Sequence, residues 1–220
     1  MRIAVLIPGH LRPWDACKQN FLDTLYDTNH QIDVFVETYN SIFRSDGQIG
    51  GESELKYILS RDDVLSLFDG INVVYCNVET DLTGDAELLQ IRKMNILYHS
   101  FQKYEFENGP YDLVVRSRFD ILLDKTIDYN YIYSLCHDSK NMFIGKGGVH
   151  LAENDLFAVS NSHLMRLYFN CIHDLYSLSV NRMLEINKNN SNKDILIKVY
   201  TKEEKSIKSN TKPIKRWSYG

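Results

Sequence analysis

The chain contains no C-x-x-C pair, no G-x-G-x-x-G fingerprint, no H-E-x-x-H, no internal repeat and no apolar run near the length of a membrane span, which takes roughly twenty residues. Each absence removes a class of protein. The four cysteines, Cys17, Cys76, Cys136 and Cys171, are widely separated, so neither a zinc site nor a dithiol redox motif is indicated, and reduced, mostly buried thiols are expected. Ile3–Ile7 is too short for the apolar region of a signal peptide and runs directly into Pro8-Gly9, so the expected protein is cytoplasmic, with no membrane span. The formal net charge is -4 and the pI lies near 6.0. Such a balance gives no global attraction to nucleic acid or acidic membranes, and any polyanion must be held by a local site. His99, His150, His163 and His173 lack metal-ligand spacing and are read as structural, with His150 the most open because it follows a glycine turn.

What is present is an alternation of short β-rich runs with helix-period segments. Over 220 residues, 44% hydrophobic and 25% charged, this predicts one soluble α/β domain with a central mixed β-sheet flanked by helices. Strands are expected at Ile3–Ile7, Ile32–Thr38, Ile71–Tyr75, from Asp112 into the arginines that follow, at Met142–Gly145 and at Asp155–Val159. Helices are expected over Asp15–Tyr26, Glu54–Leu59, Asp62–Phe68 and Asp85–Glu107, with a last one starting near His163 behind the capping run Ser160-Asn161-Ser162. Gly109-Pro110 ends the longest helix. Beyond Asn187 the composition turns to Asn, Lys and Ser, which divides the chain into a main domain over 1–186 and a polar, basic tail or linker over 187–220.

The most informative segment is Tyr111-Asp-Leu-Val-Val-Arg-Ser-Arg-Phe-Asp120, an apolar strand that ends in two arginines and a carboxylate. Ligands of open α/β sheets bind outside the carboxyl ends of the strands, and Arg beside Asp suits an anion, with or without a bridging divalent metal. Arg116, Arg118 and Asp120 alternate, so all three share a face if the strand continues that far. A buried Arg/Asp pair that locks the strand to its neighbours is the competing reading. Asp124 and Asp128 follow as further oxygen donors.

Pro8-Gly9-His10-Leu11-Arg12 closes the first strand, where glycine permits close backbone approach and His10 and Arg12 supply donors. Arg92-Lys93 could face a diphosphate across the sheet's mouth or be solvated helix charges. Glu79-Thr80-Asp81 is either a carboxylate pair for a metal or a plain loop. Glu153-Asn154-Asp155 stands at a strand mouth, where Asp155 could act as a general base or an Asx cap.

The stretches Ile7–Arg12, Asp33–Tyr39, Tyr111–Asp120 and Asn154–Ser160, in that order, together resemble small GT-A-type glycosyltransferases of bacterial surface-polysaccharide loci and large DNA viruses. The resemblance implies a GT-A-like nucleotide-sugar-binding fold and transfer of a sugar from a nucleoside diphosphate sugar, UDP-sugar favoured, to a hydroxyl of a glycan or glycoconjugate acceptor. It implies that the loop after the first strand, Pro8, Gly9, His10 and Arg12, borders the nucleotide and that Asp155 lies near the acceptor hydroxyl, as the catalytic base if the enzyme inverts the anomeric centre and as a positioning group if it retains it; Arg92, Arg116 and Arg118 are read as the cations that serve the diphosphate. In that family a D-x-D motif holds Mn2+ or Mg2+. Here the equivalent is Arg118-Phe119-Asp120, with arginine at the first position, leaving Asp120 as the metal carboxylate. A nucleotidyltransferase and a non-catalytic nucleotide- or glycan-binding module are the alternatives.

Overall fold

The computed structural model describes residues 1–11, 14–43, 55–80, 86–123, 125–137, 141–144, 157–177 and 215–216. Its centre is a six-stranded sheet. β1 (Arg2–Pro8) pairs in parallel with β2 (Gln31–Tyr39) on one side and with β6 (Leu113–Arg116) on the other, and β5 (Val73–Glu79) extends the parallel set beyond β2. β9 (Ala158–Ser160) then adds antiparallel to β6, and β8 (Phe143–Ile144) antiparallel to β9. The sheet is therefore mixed and flanked by helices, as the alternating pattern implies.

Near-continuous apolar runs suit strands covered on both faces, and the side chains of β1 alternate between two cores. Ile3, Val5 and Ile7 pack with α1 (Trp14–Thr24), α2 (Arg61–Ser66) and α4 (Tyr129–Cys136), through Trp14, Phe21, Val64, Tyr129 and Ile132. Ala4 and Leu6 face the other way, onto α3 (Ala86–Asn108) and α5 (Ser162–Ser177), through Met94, Leu97, Phe101, Leu164 and Phe169. Each of these side chains is nearly or fully buried, and full burial of one large apolar side chain is worth about 1.5–3 kcal/mol.

At the amino-terminal pole of the sheet, Arg2 is a clamp. Its backbone N–H donates to Asp112 Oδ2 at 2.8 Å, and its guanidinium donates to the Asn108 and Gly109 carbonyls at 2.8 and 2.7 Å, capping the last turn of α3. The same group lies 4.0 Å from the centroid of the Tyr111 ring and bonds the Tyr111 hydroxyl, which itself donates to Asp33 at 2.7 Å. Gly109 takes a φ of 90°, the left-handed geometry that ends a helix without steric cost.

The local readings need three corrections. Leu55–Ile58, expected to be helical, is strand β4, antiparallel to β3 (Ser41–Phe43). Its short apolar run does not distinguish the two periods, and the pairing partner decides. Asp128, offered above as an oxygen donor, is the N-cap of α4 and accepts from the Tyr131 N–H at 2.9 Å. The expectation of a shared face for Arg116, Arg118 and Asp120 also fails, because β6 ends at Arg116 and the chain turns through Phe119 and Asp120 into the two-residue β7 (Ile121–Leu122).

Part of the tail has a defined place. Lys215–Arg216 form β10, antiparallel to β7, with Lys215 opposite Leu122 and Arg216 opposite Ile121. The Asn-, Lys- and Ser-rich stretch at 187–193 lies outside the described residues. Cys17, Cys76 and Cys136 are buried thiols, and among the described residues no helix is long and apolar enough to cross a membrane.

Candidate functional site

The carboxyl ends of β1, β2 and β6 form one mouth, and the register sets which residues meet there. Pro8 sits beside Glu37, and Leu6 beside Arg116. At the end of β1, Gly9 adopts a φ of 124°, a conformation L side chains rarely take, and its N–H donates to the Glu37 carbonyl at 2.9 Å. This turn carries His10 onto the ring of Tyr39, with centroids 4.5 Å apart and planes 30° from parallel.

On the β6 side, Ser117 still bonds the sheet through its N–H to the Leu6 carbonyl at 2.9 Å. The chain then leaves the sheet, and the turn is held from both sides. Phe119 enters the core against Trp14, ring planes at 89°, while Arg118 and Asp120 close a two-bond fork, Nε to Oδ1 at 2.8 Å and Nη2 to Oδ2 at 2.9 Å. The Arg118 side chain is 16% exposed and that of Asp120 8%. Such planar, bidentate pairs are the strong form of charge-assisted bond. Burial, with Asp120 nearby, pushes the Cys17 thiol of α1 up to about 11.

Arg116 is the last residue of β6 and takes no part in this fork. It is fully buried, and its Nη2 is 3.6 Å from Met94 Sδ on α3. Pro8, Gly9, His10, Arg116, Arg118 and Asp120 are thus gathered at the ends of β1 and β6. Arg92 is set apart at the end of β5, where it pairs with Glu79; three strand spacings separate β5 from β6, roughly 14 Å. Arg12, Asp81, Asp124, His150, Glu153, Asn154 and Asp155 lie outside the described residues.

A second polar cluster supports the mouth from behind. Lys93 is fully buried, with Nζ 2.9 Å from Glu37 Oε1, 2.7 Å from Glu79 Oε2 and 2.8 Å from the Thr38 carbonyl. It also lies 4.2 Å from the Tyr39 ring centroid. Glu37 is completed by Asn77 at 2.9 Å and Tyr75 at 3.1 Å. Burial, with Glu37 nearby, holds the Tyr75 hydroxyl above its usual range. Sequence reading gave Glu37 and Tyr39 no role and treated Lys93 like Arg92. The signal available was the alternation of β2, where Asp33, Phe35, Glu37 and Tyr39 share the face covered by α3, so that a carboxylate there must find a cation.

The described donors do not by themselves make a cation site. Both oxygens of Asp120 are engaged by Arg118, Glu37 is taken by Lys93, and among the described residues no three His, Cys, Asp or Glu side chains converge on one point. What the mouth offers instead is a guanidinium held in fixed orientation at a strand end, able to exchange its carboxylate for a phosphate of the same planar demand.

No protein-family profile matches the chain and no curated protein matches it. The solved structures similar to it include two glycosyltransferases. One, a glycosyltransferase involved in the glycosylation of the major capsid of PBCV-1, shares 10% identity over 79% of this chain and 66% of its own, with a TM-score of 0.36. The other, the apo-form glycosyltransferase GlyE of Streptococcus pneumoniae TIGR4, shares 12% identity over 92% of this chain and 44% of its own, with a TM-score of 0.39. This chain therefore spans less than two thirds of the length of each. Both neighbours are glycosyltransferases at low identity; likeness at this level adds nothing to what the site itself supports.

Proposed function

We propose that the chain is a nucleotide-sugar-dependent glycosyltransferase of GT-A-like fold, moving a sugar from a nucleoside diphosphate donor, UDP-sugar favoured, to a hydroxyl of a glycan acceptor. The observation that carries this reading is the Arg118–Asp120 fork on the turn after β6, beside the glycine turn that ends β1. In the proposed reaction the bond from the anomeric carbon to the diphosphate oxygen breaks. The acceptor oxygen forms the new bond and gives up its proton, with Asp155 as the proposed base. The leaving diphosphate gains charge as it departs, and a preorganised cation aimed at that charge lowers the barrier. Arg118 is the proposed contact, and the buried Arg116 at the end of β6 contributes its field. Gly9 and His10 are proposed to border the nucleotide. Mn2+ or Mg2+ at Asp120 would have to take that carboxylate from Arg118.

The engagement of Asp120 favours one second reading, a nucleotide-binding module without turnover. A thermal-shift panel of UDP, GDP, CMP and dTDP, each with and without manganese, followed by product analysis with UDP-sugars, separates the possibilities. Stabilisation by a nucleoside diphosphate and release of UDP support the transferase. Products carrying the nucleoside monophosphate indicate nucleotidyl transfer, and binding without turnover supports the module. A chain stabilised by none of the nucleotides sinks the reading of this mouth.

A further inference from the structure

Lys93 touches the residues that end β2 in turn: its Nζ bonds Glu37 Oε1 at 2.9 Å and the Thr38 carbonyl at 2.8 Å, and it stands 4.2 Å from the centroid of the Tyr39 ring. The turn that closes β1 leans on the same strand end, through the Gly9 N–H on the Glu37 carbonyl and the His10 ring stacked on Tyr39. One side chain of α3 is thus a single contact away from that turn. Charge is not what it delivers there. Lys93 and Arg92 are matched by Glu37 and Glu79, so these four groups add no net cation to the mouth, and a fully buried ion network gives a fold little stability that apolar side chains of similar volume would not. The best-attested use of such a network is to fix register, and here it fixes the ring behind His10. Tyr39 is 1% exposed whereas His10 is half-buried, so the imidazole is the member of the stack within reach of a ligand. A Cβ built on Gly9 would meet no described atom within 4 Å, which leaves room beside the same turn.

We propose that the series Lys93, Tyr39, His10 is a positioning device for the nucleoside half of the donor: the buried ammonium holds the Tyr39 ring, the ring holds the His10 imidazole, and His10 meets the base and ribose with its orientation already set. The inference rests on the reading of the mouth as a nucleoside diphosphate site and divides that site in two, with Arg118 serving the diphosphate and His10 the nucleoside. A side chain ordered before the ligand arrives spares the complex the cost of ordering it.

The test uses the full chain, with UDP and inorganic pyrophosphate as probes, the second lacking the base and ribose. Tyr39→Leu removes the ring and leaves the ion pairs, Tyr39→Phe keeps the ring, and Lys93→Met/Glu37→Gln removes the ammonium together with its carboxylate. Calorimetry should show UDP affinity about tenfold lower in Tyr39→Leu and in the double variant, near the upper end of the cost of immobilising one freed side chain. Pyrophosphate affinity should stay unchanged in both, and Tyr39→Phe should behave as the unmutated chain. In the unmutated chain, nuclear Overhauser contacts should join the His10 ring to protons of the uracil or ribose of bound UDP. That measurement needs no substitution, so it decides the role of His10 even if a variant folds poorly. Unchanged UDP affinity in Tyr39→Leu or in the double variant, equal weakening of both probes, or a His10 ring without contact to the nucleoside would overturn the positioning role while leaving the diphosphate site intact. An unmutated chain that binds neither UDP nor pyrophosphate would overturn both readings.

Discussion

Asp120→Asn acts on the mouth in two opposite directions, and their signs separate a guanidinium-held anion from a metal-held one. In the fork, Asp120 spends its charge on Arg118, so an incoming diphosphate must compete with it. Removing that charge frees the guanidinium. Two unit charges about 6 Å apart interact by about 1.4–2.8 kcal/mol at an effective dielectric of about 40 to 20; taking the lower end for a pair that is partly exposed gives about a tenfold gain in metal-free UDP affinity. Stability moves the other way. A broken pair between the exposed and buried extremes costs about 1–2 kcal/mol, or about 2–8 °C in melting temperature for a chain of this size. Sugar transfer should nonetheless fall about a hundredfold, because the released guanidinium loses the orientation that the fork imposes. Calorimetry with UDP in EDTA and in manganese, beside a melting curve, reads all of this. UDP binding that weakens in EDTA would refute the competition argument, and weakening confined to manganese would make Asp120 a metal ligand.

Three further outcomes follow from the same geometry. Lys93→Met leaves the buried Glu37 without its cation, while Glu79 keeps Arg92, so it should lower stability by about 3–5 kcal/mol in a urea melt, with Glu37→Gln added to it restoring a large part; equal melting of the single variant and the unmutated chain would show the network to be incidental. Burial pushes the thiols of Cys17 and Cys76 from 9.0 up to about 11. The folded state thus keeps protons that the unfolded state gives up, so their stabilisation is complete below about pH 9 and disappears as pH rises through about 11. The urea midpoint should fall across that window and fall less in Cys17→Ala/Cys76→Ala. Finally, Asp155→Asn should leave nucleotide affinity and melting temperature unchanged while slowing transfer about a hundredfold or more; normal transfer would remove Asp155 from the reaction.

The parts of the fold legible in the sequence are those whose pattern is set locally. β1, β2 and β6 are apolar runs because both their faces are covered, and α3 carries Met94, Leu97, Tyr98 and Phe101 on one buried stripe. Leu55–Ile58 and Tyr129–Cys136 were not legible, the first because only pairing with Ser41–Phe43 makes it a strand, the second because Asp128 looks the same in sequence as a ligand and as a helix cap. The mouth shows the same division. Its arginines and aspartate are visible as residue types, but the end of β6 at Arg116 is not, and this leaves Arg116 buried in the strand and puts Arg118 in the turn. Adjacent Arg92 and Lys93 are equivalent on paper. Their partners, set by the approach of β2 and β5, leave the Arg92 side chain 46% exposed and that of Lys93 fully enclosed.

The clamp at Arg2 also has a mechanical meaning. β1 is one of the two inner strands of the parallel set, bonded to β2 over seven register positions and to β6 over four, and its first residue is fastened to the end of α3, to Tyr111 and to Asp112. A load applied along the chain at residue 1 therefore cannot peel one ladder at a time. It must shear both ladders together and draw the guanidinium off the helix end in the same event. In an optical-trap experiment pulled from that end, the chain should yield at one sharp force, and Arg2→Ala should lower that force while leaving the mouth at the opposite pole untouched.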